Sequence, residues 1–187
     1  GSGTGAIAAW ENAERLAVDG RFGENKMRIY ASQNAPFTIM YDSWKAHSRQ
    51  LVPMTPEEGR NKAEVILGKV LSNRKPPYSL AGGLFDVLEK SGGDMFKVSN
   101  DEVVSWVVRY FSAEGYDIFP ASACAVASLK QALDAGVIKH DETVMLNVTG
   151  GGMLGATRKG FILKEPDLVL SPDLPAEEII AAIDKLF

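Results

Sequence analysis

Apolar residues recur at helical spacing in several stretches of the chain, and short apolar runs lie between them. Residues 6–16 combine helix formers with apolar positions three and four apart, and they follow directly on five residues that are mostly glycine. Residues 27–31 predict a strand, Ser32-Gln33-Asn34-Ala35-Pro36 a loop, and residues 37–46 a helix. The stretch 51–78 is less regular: Pro53, Pro56, Pro76 and Pro77 bracket a helix expected over 62–71. A helix over 80–89 and a strand over 94–99 come next. Ser99 and Glu102 then form a capping-box pattern ahead of Val103, Val107, Val108 and Phe111. Ile118-Phe119-Pro120 leads into a helix over 121–135, and residues 143–148 predict a strand ending at Thr149, followed by Gly150, Gly151 and Gly152. A strand at 168–170 and a helix from Pro175, with Ile179, Ile180, Ile183 and Leu186 on one face, close the pattern.

Strands separated by helices imply an α/β fold: an open, mostly parallel sheet with helices on both faces. The chain has 187 residues, 45% of them hydrophobic, enough for one substantial core and a smaller lobe. A net charge of -4 with 24% charged residues leaves no large field of one sign, which argues against nucleic acid and anionic membranes as partners and favours small soluble ligands. No apolar run approaches the length of a membrane span. Cys124, the single cysteine, lies in a run of small apolar residues and reads as a core residue in a reducing, cytoplasmic compartment. His47 and His140 belong to no Cys/His cluster, so no metal site is expected.

Gly1-Ser2-Gly3-Thr4-Gly5 can present successive backbone N–H groups without side-chain obstruction, and the helix behind adds its positive dipole end. Those features predict a phosphate cradle, against the alternative of a flexible glycine-serine tail. Gly1, Gly3 and Ala6 also satisfy the dinucleotide fingerprint, but no strand is seen ahead of the glycines and no acidic residue closes the next strand. In an open parallel sheet ligands gather at the carboxyl ends of the strands, which places Thr149 where its hydroxyl could face a ring nitrogen or could satisfy its own turn.

The glycine loop before a helix, Phe119-Pro120-Ala121-Ser122-Ala123 opening another, and Val148-Thr149-Gly150-Gly151-Gly152 resemble, in order and spacing, the threonine synthase branch of the fold-type II pyridoxal-phosphate enzymes. Ser91-Gly92-Gly93, Ser99-Asn100-Asp101-Glu102 and Glu114-Gly115 extend the likeness over nearly the whole chain. The resemblance implies a tryptophan synthase beta-like fold and pyridoxal 5'-phosphate as cofactor. It also implies that Gly1, Ser2, Gly3, Thr4 and Gly5 hold the cofactor phosphate, that Thr149 bonds the pyridine nitrogen, and that Gly150 lets the backbone pass close to the ring.

Phe119 stands where threonine synthases often carry glutamate, and Gly151-Gly152-Met153 replaces a more polar continuation. Within the family the likeness is therefore nearer to the archaeal cysteate synthases, which exchange the phosphate of O-phospho-L-serine for sulfite on the way to coenzyme M; threonine synthase and a non-catalytic phosphometabolite-binding module remain the alternatives. The family's Schiff-base lysine lies upstream of the glycine loop, so the chain is expected to be the carboxyl-terminal portion of an enzyme, inactive alone, with its catalytic residue elsewhere. The complete enzyme is expected to be a homo-oligomer. Lys45, Arg49, Arg74 and Lys75 are candidate cations for the phosphorylated amino acid and sulfite, or else ordinary solvated charges.

Overall fold

In the computed structural model, which describes residues 1–158, 160 and 164–186, the chain divides into two units, Gly1–Gly155 and Ala156–Phe187. The first unit begins with helix α1 (Thr4–Asp19), which buries Trp10 and ends at Gly20 in the left-handed conformation. Strand β1 (Tyr30–Asn34) starts three residues later than its apolar pattern predicts, and its Ala35-Pro36 peptide is cis. Helix α2 (Ile39–Lys45) buries Ile39, Met40 and Trp44.

Helix α3 (Pro56–Val65) corrects the expectation of a helix over 62–71. Thr55 caps it: its hydroxyl accepts the Glu58 N–H at 3.2 Å while the Glu58 carboxylate accepts the Thr55 N–H at 2.8 Å, and Pro56 takes the first helical position. The chain then leaves helix at Ile66, and only the single 3-10 turn Lys69–Leu71 remains of the expected carboxyl-terminal part.

Helix α4 (Leu84–Ser91), strand β2 (Asp94–Val98), helix α5 (Asn100–Glu114) and helix α6 (Pro120–Asp134) follow. The Ser99–Glu102 capping box forms as read. Burial works against the Glu102 carboxylate, but hydrogen bonds from Ser99 and Gln131 outweigh it and hold its pKa below the usual range.

β1 and β2 pair in parallel, Tyr30 with Asp94 through Asn34 with Val98, and they are the whole sheet among the described residues. Residues 143–148 and 168–170 do not join it, which corrects the broader sheet that the apolar runs predict. An apolar run specifies burial, but a strand also needs a neighbour for its N–H and C=O groups, and among the described residues no strand pairs with these segments.

Side chains alternate across β2, so Met95 and Val98 point to opposite faces. Met95 enters a core with Phe37, Met40, Trp44, Tyr78, Leu84 and Leu88, while Val98 enters another with Val103, Ile118, Ala123, Cys124 and Ala127. The small sheet is thus covered on one side by α2 and α4 and on the other by α5 and α6. Helix α7 (Met153–Arg158) follows the second core in sequence. In the second unit, helix α8 (Ala176–Ile183) runs into a 3-10 turn, Asp184–Leu186, with Ile180, Ile183 and Leu186 exposed and Ile179 half-buried. Among the described residues no helix is long and apolar enough to cross a membrane.

Candidate functional site

The five-residue glycine loop opens α1. Gly3 is its N-cap with φ 79°, in the left-handed region, and the first intrahelical bond runs from the Ile7 N–H to the Gly3 carbonyl at 3.1 Å. No side chain caps this end; Ser2 Oγ reaches the Thr4 N–H only at 3.4 Å and makes its shorter contact, 2.8 Å, with the Thr4 hydroxyl. The Gly5 and Ala6 N–H groups of the first turn are therefore geometrically without intrahelical acceptors. Ser2 and Gly3 are half-buried and Thr4 and Gly5 are exposed, so an anion can reach these donors.

The loop is closely backed. A Cβ on Gly3 would come within 2.9 Å of Leu84 Cδ2, and one on Gly1 within 3.0 Å of the Val70 carbonyl oxygen. Uncapped donors at a positive helix end, on a loop in which three of five residues are glycine, fit a phosphate group.

Thr149 and Gly150 are placed differently from expectation. They do not end a strand of the sheet; they lie on the amino end of α6. Ser122 Oγ accepts the Gly150 N–H at 2.9 Å, the Gly150 carbonyl accepts from Ser122 Oγ at 3.2 Å and from the Phe119 N–H at 3.1 Å, and Ile118 bridges antiparallel to Gly151. Gly152 passes so close to Asp117 that a Cβ there would fall 1.9 Å from the Asp117 carboxylate oxygen, which explains a glycine without invoking a ligand. The Pro-Ala-Ser and Thr-Gly motifs, 28 residues apart at Ser122 and Gly150, are thus one local structure. Thr149 itself is exposed.

The two motif regions converge on the second core. Val70 faces Gly1 while its neighbour Leu71 packs against that core, and Val148, next to Thr149, packs there as well. Cys124 is fully buried in it, and burial pushes its thiol up to about 11, so it is a core residue and not an activated nucleophile.

Three of the four candidate cations are engaged elsewhere. Lys45 pairs with Asp94 at 2.7 Å and Arg49 with Asp86. Arg74 lays its stem over Gly59 and reaches the Pro56 carbonyl at 3.5 Å, and at Lys75 it is the backbone N–H that Asn73 Oδ1 accepts, at 2.9 Å. None of these contacts leads to the glycine loop. A cleft of about 260 Å³ lies beside α1, lined by Thr4, Ile7, Pro77, Leu80 and Gly83 among others. No cluster of metal-ligating side chains is present among the described residues.

Residues 1–150 match the family model described as pyridoxal-phosphate dependent enzyme. The chain belongs to this family. It is 44% identical over 186 residues to a cysteate synthase of Methanocella paludicola, covering 98% of this chain and 43% of the relative. It is 41% identical over 182 residues to one of Methanosarcina acetivorans, covering 96% and 44%, and 39% identical over 186 residues to one of Methanospirillum hungatei, covering 99% and 44%. The chain spans less than half the length of these relatives. Family membership makes pyridoxal phosphate the cofactor of the enzyme to which these residues belong.

Proposed function

We propose that this chain is the cofactor-phosphate-binding part of an enzyme that replaces the phosphate of O-phospho-L-serine with sulfite, giving L-cysteate. The observation that carries the cofactor part of this reading is the uncapped amino end of α1 behind Gly3, where first-turn N–H groups face outward from a closely backed glycine loop. The substrate part rests on similarity to cysteate synthases along almost the entire chain.

When bound, pyridoxal phosphate supplies the electron sink that lets an amino acid lose its α-proton and a β-substituent. In this reading Gly1, Ser2, Gly3, Thr4 and Gly5 hold the phosphate through backbone N–H groups and the helix dipole. Thr149 offers the ring nitrogen a neutral hydroxyl in place of a carboxylate, so the nitrogen is not forced to stay protonated and replacement is favoured over transamination. Gly150, pinned by Ser122, keeps Thr149 at the amino end of α6. The complete enzyme is read as a cytoplasmic homo-oligomer.

The test is a product assay on the complete enzyme, offered O-phospho-L-serine with sulfite in one reaction and O-phospho-L-homoserine in another. Cysteate from the first supports the proposal. Threonine from the second without cysteate from the first replaces it with a threonine synthase, and no turnover or cofactor binding in either leaves a binding module.

A further inference from the structure

A pair of side-chain amides, one buried and one half-buried, lies at the carboxyl ends of the two parallel strands, in no role assigned above. Asn34, the last residue of β1, is fully buried. Its Nδ2 donates to the Val98 carbonyl at 3.0 Å and to Asn100 Oδ1 at 3.1 Å, and its Oδ1 accepts the Gly68 N–H at 2.9 Å. Asn100, the first residue of α5, accepts the Leu67 N–H at 3.1 Å on Oδ1 and donates from Nδ2 to the Val65 carbonyl at 2.8 Å. Two side chains thus hold three backbone groups of the segment that leaves α3.

That segment is poorly held by other means. Val65, Leu67 and Val70 are exposed, Val70 at 77%, so hydrophobic burial anchors it only through Ile66 and Leu71. Its 3-10 turn closes with the Leu71 N–H on the Gly68 carbonyl at 2.8 Å, starting from the residue that Asn34 grips. The turn presents the Val70 carbonyl to Gly1, 3.0 Å from where a Cβ would stand. The contacts run without a gap from the strand ends, through Asn34 and Asn100, to residues 65–68, to Val70 and to the first glycine of the loop.

We propose that Asn34 and Asn100 are positioning residues for cofactor binding, fixing the 65–71 segment as the back wall that sets the path of the glycine loop. The inference rests on the reading of residues 1–5 as the phosphate cradle. Amides suit this task because each supplies a donor and an acceptor with fixed relative geometry, and in a buried place an unpaired partner is unfavourable. The segment is therefore held in one register.

The test uses the holoenzyme with Asn100→Ala, Asn100→Asp and Gly3→Ala, reading the dissociation constant for pyridoxal phosphate, the phosphorus-31 shift of the bound phosphate, and the melting temperature of each apoprotein. Asn100→Ala is expected to weaken cofactor binding about tenfold and move the phosphorus resonance. Asn100→Asp keeps the contacts to Leu67 and Asn34 while losing the donor to Val65, and is expected to weaken binding about threefold. A lowered melting temperature with unchanged affinity and unchanged resonance in Asn100→Ala overturns the proposal, leaving a purely structural pair. If Asn100→Ala does not fold, unchanged affinity and resonance in Asn100→Asp overturn it equally. Gly3→Ala without effect on either cofactor readout refutes the cradle itself, whereas an effect there with none in the asparagine variants refutes only the positioning role.

Discussion

Ser122 holds Gly150 from both sides: its hydroxyl accepts the Gly150 N–H at 2.9 Å and donates to the Gly150 carbonyl at 3.2 Å. Ser122 is buried, so its removal leaves the Gly150 N–H without this partner, while the Gly150 carbonyl keeps the Phe119 N–H. Ser122→Ala should lower stability by about 1–3 kcal/mol in denaturant unfolding. It should also lower turnover of the complete enzyme, because Thr149 loses its support. A variant as stable as the parent would show that water replaces the hydroxyl without loss.

Gly3 combines a positive φ with a Cβ direction blocked by Leu84. An alanine there meets both the left-handed backbone penalty and a 2.9 Å contact, the second relieved in part by movement of the leucine. Gly3→Ala is expected to destabilise the fold by about 1–3 kcal/mol, measured by thermal or chemical unfolding. Unfolding indistinguishable from the parent would mean that the loop adopts another path.

Thr149→Val removes a hydroxyl at an exposed position while keeping the branched shape. Stability should change by less than about 0.5 kcal/mol. Activity of the complete enzyme should fall about tenfold if the hydroxyl meets the ring nitrogen, one hydrogen bond's worth of transition-state energy. Kinetics identical to the parent would remove Thr149 from the site.

Asp94 joins the first residue of β2 to α2: it accepts from Trp44 Nε1 at 2.7 Å and from Lys45, and it also takes the Met95 N–H. Burial raises its pKa, but the Lys45, Met95 and Trp44 contacts prevail and the carboxyl lies below its ordinary value. A carboxyl depressed in the folded state contributes stability that is complete above its unfolded pKa of roughly 4 and is lost as pH falls through the folded value. Asp94→Asn should therefore cost about 1–2 kcal/mol at neutral pH. Unfolding curves of variant and parent should draw together in acid below the lowered pKa. A deficit that stays constant down to pH 2 would contradict the electrostatic account.

The sequence made local structure readable and long-range pairing much less so. The Ser99–Glu102 box and the glycine loop before α1 depend on residues within a few positions of each other, and both formed as expected. The same threonine-to-glutamate spacing at Thr55 and Glu58 is the start signal of α3, set among prolines that obscure the apolar pattern around it. Residues 143–148 have the apolar character of a strand, yet pairing depends on a neighbour that their own composition does not specify. The pairing of Asn34 with Asn100 carried no sequence signal: an asparagine after a strand reads as a turn former, and only the fold reveals that two such residues meet across 66 positions.

The site as a whole is tested most directly by a crystal structure of the complete enzyme with pyridoxal phosphate bound. The account predicts the phosphate within hydrogen-bonding distance of the Gly5 and Ala6 N–H groups, and the pyridine nitrogen within reach of Thr149 Oγ1. A phosphate bound away from the amino end of α1, or a ring nitrogen held by a group other than Thr149, would contradict it.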